Sequence, residues 1–150
     1  MAARTLTSPF GPLTFREAEG VLVRIEWGGA EDESSDVLLE AERQMAAYFA
    51  GRMTAFRLPW RVEGSVAQAR ACAAMAAIPF GQTRSYGALA REIGVSAQAM
   101  GQLCGGNPLP ILVPCHRVLG AQGLGGFSAP GGVETKVQLL RHEGAGGFLL

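Results

Sequence analysis

The sequence has 150 residues, 48% of them hydrophobic, which is enough apolar side chain for the packed core of one domain or of two small ones. Its 13 basic and 13 acidic residues cancel, which excludes the strongly basic balance of a general nucleic-acid binder. It shows no signal segment, and no apolar run approaches the roughly 20 residues that span a bilayer, so we expect a soluble cytoplasmic protein with no membrane partner.

The chain opens with the pattern of an antiparallel sheet. Residues 10–15 and 21–27 have the composition of short strands. Glu17–Gly20 between them has the residues of a turn, so the sequence predicts a β-hairpin. Residues 56–62, which contain a Leu-Pro-Trp step, are either a further strand or an extended connector.

One helix is predicted in the same part of the chain. From Asp36 to Phe49 apolar residues recur at helical spacing, and Gly51 ends the pattern. We therefore expect residues 1–58 to form a small α/β domain with an antiparallel sheet and one helix. The boundary to the next domain is expected near Gly64.

Residues 64–150 are predicted to form a second, mostly helical domain. Serine N-caps and glycine or proline terminators mark most of its helices. The predicted helices are 65–77, 85–93, 96–104 and 134–143. Residues 94–95 join two of them, which indicates either a helix-turn-helix unit or an ordinary helical hairpin. Residues 107–118 are apolar and contain three prolines, and the glycine-rich residues 120–132 are predicted to be a loop.

The segment Pro110–Leu119 carries the residue types of a nucleophilic site. Cys115 stands beside His116 and Arg117, after an apolar run. Nearby positive charge favours the reactive thiolate, and a histidine can take the thiol proton. Neighbouring side chains of an extended segment point to opposite sides, so a bridging water is an alternative to a direct contact. The imidazole also needs a carboxylate to hold its tautomer, and Glu143 is the candidate.

Other features of the sequence limit the alternatives at this site. A buried structural cysteine beside a surface histidine remains one of them. An odd number of cysteines without an export signal indicates free thiols. Two histidines and the absence of a Cys-x-x-Cys pair give no zinc site, and the glycines of residues 120–126 do not match a dinucleotide motif, so we expect no metal and no cofactor. That loop is either flexible backbone or a pocket wall.

A specific series of motifs runs through residues 64–150. Its centre is Asn107-Pro108, followed by Pro114-Cys115-His116-Arg117-Val118. It continues upstream through residues 78–90 and, with gaps, downstream through residues 125–144. The series closely resembles the alkylguanine-DNA alkyltransferases, also called methylated-DNA–protein-cysteine methyltransferases. The resemblance implies a ribonuclease-H-like first domain, a winged-helix-like second domain with a helix-turn-helix, and a monomer.

The resemblance also implies a reaction and its residues. An alkyl group moves irreversibly from the six-position oxygen of guanine in DNA to Cys115, with the four-position oxygen of thymine as a second candidate source. His116 activates Cys115 through a water, and Glu143 orients His116. Asn107 braces the turn before the active-site segment. Tyr86 donates a proton toward the leaving guanine.

Contacts to the substrate are implied in the same way. A flipped guanine is expected in a pocket formed by Val118, Ser128, Gly126, Phe127 and Pro110. The helix-turn-helix is expected to enter the minor groove, where small side chains let the helix approach the phosphates. The implied DNA contacts are Tyr86, Arg84, Ser96, Ala97, Gln98, Ala99, Gly101 and Arg117.

The chain departs from the family pattern at two places. The recognition helix of the family usually carries an arginine that fills the gap left by the flipped base, and counting back from Gly101 and Asn107 puts Gln98 there. Glutamine has no charge and less reach, so we expect weaker flipping from duplex DNA and relatively better use of single-stranded or distorted DNA. Residues 128–132 are longer than the usual form, and Pro130 can stiffen one side of the pocket.

Two other functions compete with the transferase. One is a non-enzymatic module that binds alkylated DNA and recruits other repair factors, against which the presence of Cys115 argues. The other is a thiol hydrolase, for which the sequence offers no oxyanion-hole motif.

Overall fold

A computed structural model describes residues 1–121 and 123–145. The chain divides into two compact units, Met1–Glu63 and Gly64–Leu150. Each unit has its own apolar core, built around Phe15 and Tyr48 in the first and around Met75 and Leu139 in the second. Among the described residues, every helix is too short or too polar to cross a membrane.

The first unit contains an antiparallel sheet of three strands: β1 (Ala2–Leu6), β2 (Leu13–Ala18) and β3 (Val21–Trp27), in that order. Ala18 pairs with Val21, so the turn between β2 and β3 is the two-residue loop Glu19-Gly20. Both loop residues have positive φ (55° and 81°), as a hairpin turn that matches the strand twist requires. The predicted hairpin is confirmed.

The strand bounds differ from the prediction near the N-terminus. Residues 8–11 form a turn, in which the amide of Gly11 donates to the carbonyl of Ser8 (3.1 Å), so β2 begins at Leu13 rather than at residue 10. Strand β1 was not predicted. Its alternation is weak, and β1 is a strand because β2 supplies its hydrogen-bond partners from Leu6↔Leu13 to Ala2↔Glu17.

Helix α1 (Asp36–Phe49) has the predicted bounds. Ser35 is its N-cap and accepts from the amide of Leu38 (3.3 Å). Residues 56–62 are a connector with one strand-like bridge, Leu22↔Trp60. The amide of Leu22 donates to Pro59, and the amide of Arg61 donates back to Leu22, so the first unit extends to Glu63, beyond the predicted residue 58.

The second unit is mostly helical, as predicted. Its elements are α2 (Val66–Ala76), β4 (Arg84–Ser85), α3 (Tyr86–Ile93), α4 (Ala97–Gly105), a 3-10 turn (Cys115–Arg117), β5 (Val118–Leu119) and α5 (Val133–Glu143). The side chains of Ser65, Ser85 and Ser96 cap α2, α3 and α4. Gly94 ends α3 in the left-handed conformation that favours glycine.

A short parallel pairing positions the site. Arg84 pairs with Val118 and Ser85 with Leu119. This pairing joins the start of α3 to the residues that directly follow the 3-10 turn. Tyr86, the first residue of α3, is therefore held close to the segment that carries Cys115.

Candidate active site

Cys115 begins a 3-10 turn and does not lie in an extended segment. The amide of Cys115 donates to Val113 (2.8 Å), and the amide of Arg117 donates to Pro114 (3.0 Å). These local bonds turn the backbone twice within five residues. Pro114 has no amide hydrogen to offer a strand ladder, and this favours the turn over a strand.

The backbone before the cysteine is strained. The amide of Leu112 donates to the carbonyl of Pro110 (2.9 Å) across Ile111, whose φ is +73°. That three-residue turn is rare, and it is unfavourable for a β-branched residue. Asn107 stabilises it from one side, because its side-chain amide donates to Val113 (2.8 Å) and its oxygen accepts from Leu109 (3.0 Å). The structure thus places Asn107 where a bracing residue would lie.

A buried carboxylate connects two of the predicted residues. Glu143 on α5 accepts from Nε2 of His116 (2.8 Å) and from Nε (2.7 Å) and Nη2 (2.9 Å) of Arg117. Nη1 of Arg117 donates to the carbonyl of Ile78 (2.6 Å). The two-point bond between guanidinium and carboxylate fixes the position of Glu143.

Arg117 was predicted to contact DNA, and its location requires a correction. Its guanidinium is buried, and Glu143 and Ile78 occupy its donors. A phosphate on the surface cannot reach it. We therefore leave Arg117 out of the DNA-contact residues, and assign it to orienting the carboxylate that faces His116.

The pairing with Glu143 determines which nitrogen of His116 can act as a base. We assign the proton to Nε2, because that atom faces a carboxylate. Nδ1 then carries the lone pair; it is buried and has no hydrogen-bond partner among the described residues. Burial lowers the pKa of His116, and Glu143 opposes this shift. At neutral pH the imidazole is uncharged and can accept a proton at Nδ1.

The same burial predicts a loss of stability in mild acid. The folded pKa of His116 lies below 6.5, so under acidic conditions the unfolded chain binds a proton that the folded chain does not. The free energy of unfolding should therefore fall as the pH drops below 6.5, by up to about 1.4 kcal/mol per pH unit from this group. Urea unfolding at pH 7.5, 6.5 and 5.5 should show a smaller acid loss in His116→Gln than in the native chain. In the control, His142→Gln, the loss should persist; equal slopes in native and His116→Gln chains would contradict the prediction.

Cys115 is not a thiolate at rest, contrary to the expectation of a nearby charge that favours ionisation. Burial raises the pKa of its thiol to about 11, although a hydrogen bond from Asn107 and the charge of Lys136 act in the opposite direction. The thiol therefore keeps its proton at neutral pH. A base must remove that proton during the reaction, and Nδ1 of the neighbouring His116 is the candidate.

Cys115 opens into a pocket of about 310 Å³. The residues that line the pocket are Tyr86, Gly101, Cys104, Gly105, Cys115, Gly126, Phe127 and Ser128. Gly126, Phe127 and Ser128 are thus three predicted substrate residues that the structure brings together with the cysteine. The other two, Pro110 and Val118, are buried outside the lining.

No role was predicted for Lys136, although its ammonium connects several segments around the pocket. Its ammonium is fully buried and donates to the carbonyls of Val118 (2.7 Å), Leu124 and Gly126 (3.3 Å). It also donates to the hydroxyl of Tyr86 (3.5 Å). Burial lowers the pKa of Lys136 to about 8. One signal could have found it: Lys136 is the only lysine in the sequence.

Lys136 links the pocket loop to the segment of the nucleophile, so its loss should affect both stability and reaction. Lys136→Met keeps the length of the side chain and removes the donors of three carbonyls. We expect the free energy of unfolding to fall by about 1–3 kcal/mol, and alkyl transfer to Cys115 to slow. Urea unfolding and single-turnover rates would measure the two effects, with Gln138→Met on the exposed face of α5 as the control. A Lys136→Met chain as stable and as fast as the native one would contradict this role.

The predicted DNA contacts, apart from Arg117, lie at the surface or at the pocket. Ala97 and Gln98 in the first turn of α4 are exposed, and Ala99 is half-buried. Gly101, further along α4, lines the pocket. Arg84 is exposed and paired with Glu92. The first turn of helix α4 is thus exposed to solvent, and its middle and C-terminal end line the pocket.

Comparisons with known proteins match both units. A family model described as the DNA binding domain of 6-O-methylguanine DNA methyltransferase matches residues 66–145, and one described as its ribonuclease-like domain matches residues 1–62. The methylated-DNA–protein-cysteine methyltransferase of Mycolicibacterium paratuberculosis is 40% identical, over 93% of this chain and 90% of the relative. That of Methanosarcina acetivorans is 37% identical, over 92% and 95%.

A solved structure is also similar. The crystal structure of Mycobacterium tuberculosis OGT in complex with DNA superposes with a TM-score of 0.84 at 38% identity, covering 96% of this chain and 93% of that one. The fold class and the family predicted from the motifs are thereby confirmed. The chain belongs to the 6-O-methylguanine DNA methyltransferase family.

Proposed function

We propose that this chain repairs alkylated DNA by transferring an alkyl group from the six-position oxygen of guanine to Sγ of Cys115. Its relatives are methylated-DNA–protein-cysteine methyltransferases, and the identity extends over most of both chains. One observation carries the choice of residue. Cys115 faces the pocket and is followed directly by a buried histidine whose Nε2 is held by Glu143.

The proposed chemistry is a single displacement at the alkyl carbon. A bond forms from Sγ of Cys115 to that carbon as the bond from the carbon to the guanine oxygen breaks. The thiol proton passes through a water to Nδ1 of His116, and the leaving guanine gains a proton from the hydroxyl of Tyr86. His116 then releases its proton to solvent and Tyr86 recovers one, so the net reaction moves the thiol proton to guanine. The product is a thioether, which water does not hydrolyse, so each molecule acts once.

Tyr86 carries the proton that this donor role requires. Burial raises the pKa of its hydroxyl to about 12, so the phenol keeps its proton at neutral pH. The ammonium of Lys136 donates to the hydroxyl of Tyr86, and Gly125 of the loop lies against the tyrosine ring. A Cβ at position 125 would come within 2.9 Å of the Tyr86 ring, so only glycine allows this approach.

The location of the nucleophile requires the substrate to leave the duplex. Sγ of Cys115 lies in a pocket, and a stacked base cannot bring its six-position oxygen there. The nucleotide must be extruded, at a cost of a few kcal/mol for unstacking. The exposed first turn of α4, with the small residues Ala97 and Ala99, fits the minor groove, which carries little sequence information. The reacting groups all come from one chain, so a monomer suffices.

Intact-mass measurement tests the proposal. The native chain is mixed with an oligonucleotide that contains O6-methylguanine, and then digested. We expect a gain of one methyl group, which fragmentation of the peptides should place on Cys115 and not on Cys72 or Cys104. Binding without a gain in mass would overturn the proposal and favour the non-enzymatic recognition module.

Because Gln98 replaces the usual arginine, we expect this chain to repair double-stranded substrate less efficiently than a chain with arginine at that position. It is exposed in the first turn of α4, where an arginine would add charge and reach into the base stack. We expect Gln98→Arg to speed repair of double-stranded substrate by about 5-fold or more, with a smaller effect on single-stranded substrate. Single-turnover rates on matched oligonucleotides would show this, with Gln102→Arg on the same helix as the control for added charge. An equal gain in both variants, or none, would reject the role of Gln98.

A further inference from the structure

Helix α4, which is expected to enter the minor groove, carries no charged side chain. Its sequence from Ala97 to Gly105 contains no lysine, arginine, aspartate or glutamate. The affinity of a protein for DNA that does not depend on base sequence comes almost entirely from cations that neutralise phosphates. The cations that hold DNA at the pocket must therefore belong to other elements.

Four of the six basic residues of the second unit are buried or already in contact with protein groups. Arg117 and Lys136 are buried. Arg84 is exposed but paired with Glu92. Arg141, in the last turn of α5, makes a contact of its own. These four residues are thus poorly placed to give a phosphate a free cation.

The two remaining cations, Arg70 on α2 and Arg91 on α3, are exposed and have no ion pair among the described residues. Arg70 is two residues away from both Gln68 and Cys72, whose side chains face α4 and Asn107. Two residues of a helix correspond to a rotation of about 200°. Arg70 therefore lies on the face of α2 that points away from α4.

The side chain of Arg91 folds back toward the start of α3, beside the pocket. Long side chains of a helix point toward its N-terminus and reach the residue four positions earlier. That residue is Gly87, and a Cβ built on it would lie 3.5 Å from Nη1 of Arg91. The guanidinium therefore lies against Gly87. Because Gly87 directly follows Tyr86, which lines the pocket, an exposed positive charge lies next to the pocket lining.

An extruded nucleotide brings phosphates to this place. The base enters the pocket, while the phosphates on either side of it stay in the DNA backbone, outside the pocket. A guanidinium can bind a phosphate through two parallel N–H donors. We propose that Arg91 binds a backbone phosphate next to the extruded nucleotide, and so supplies the electrostatic contact that α4 lacks. The inference rests on the proposed transfer to Cys115 and adds a residue to the DNA contacts that the resemblance implies.

The salt dependence of methyl transfer tests the proposal. Excess protein reacts with a single-stranded oligonucleotide that contains O6-methylguanine, at about 50 to 300 mM KCl. The rate, measured against protein concentration, gives a half-saturating concentration and a limiting rate. Near 0.1 M salt, Arg91→Gln should raise the half-saturating concentration by about fivefold, and the slope of its logarithm against that of the salt concentration should fall by about 0.7. The limiting rate should stay within about twofold, because the guanidinium does not touch the reacting groups.

Two further variants separate a phosphate contact from a change in net charge. Arg91→Lys keeps the positive charge, so its salt slope should equal that of the native chain. Arg70→Gln removes the same charge from the face of α2 that points away from α4. It should change the half-saturating concentration by less than about twofold, because salt screens distant charges.

Each outcome decides for or against the contact. An unchanged half-saturating concentration in Arg91→Gln overturns the proposal, and so does an equal increase in Arg91→Gln and Arg70→Gln, which would indicate net charge alone. A limiting rate that falls at an unchanged half-saturating concentration would show that Arg91 supports Tyr86 and does not bind DNA. If the native chain takes up no methyl group, the transferase function is refuted, and fluorescence anisotropy of the same oligonucleotide with the same variants then decides on the phosphate contact.

Discussion

Cys115→Ser should abolish alkyl transfer and leave the fold and DNA binding in place. The pocket already raises the pKa of the thiol to about 11, and a hydroxyl at the same position ionises far less readily. Oxygen is also the weaker nucleophile toward carbon. We expect the transfer rate to fall by at least about 10⁴-fold, a loss of the size seen when other covalent enzymes lose their nucleophile.

The measurement for Cys115→Ser combines intact mass with binding. The variant should retain its affinity for the methylated oligonucleotide while gaining no mass. Cys72→Ser, which removes a buried thiol of α2 outside the pocket, is the matched control and should still be methylated. A Cys115→Ser chain that still removes methyl groups from DNA would show that the acceptor lies elsewhere.

Glu143→Gln should cause the largest loss of stability. The carboxylate accepts from both His116 and Arg117 in a fully buried position, and glutamine leaves the guanidinium of Arg117 without its counter-charge. Breaking a buried ion pair from one side costs about 3–5 kcal/mol. The imidazole of His116 also loses the group that selects its tautomer, so transfer should slow by about 10²-fold or more.

A double variant separates the two effects. Adding Arg117→Met to Glu143→Gln removes the uncompensated charge, so part of the lost stability should return while transfer stays slow. Urea unfolding and single-turnover rates measure the two quantities. Glu134→Gln, an exposed acid on the same helix, should cost less than about 1 kcal/mol. If Glu143→Gln is as stable as Glu134→Gln, the hydrogen bonds of Glu143 with His116 and Arg117 do not stabilise the fold.

Local signals predicted most of the elements. Helix α1 has the predicted bounds, and Ser65, Ser85 and Ser96 cap the helices they were expected to cap. Capping and glycine terminators act within one turn of helix, so they are readable from neighbouring residues. Strand β1 was missed for the opposite reason, since its pairing with β2 depends on residues farther along the chain.

The residues of the site were likewise predicted only in part from the sequence. The sequence by itself determined the family, the nucleophile candidate Cys115 and its candidate partners His116 and Glu143, because residue type and order are enough to recognise a motif. Only the tertiary structure determined that Arg117 is buried, that Lys136 holds the pocket loop, and that Cys104 lines the same pocket as the nucleophile. Burial and ion pairing depend on which distant segments meet, and these also set the pKa of every group in the pocket.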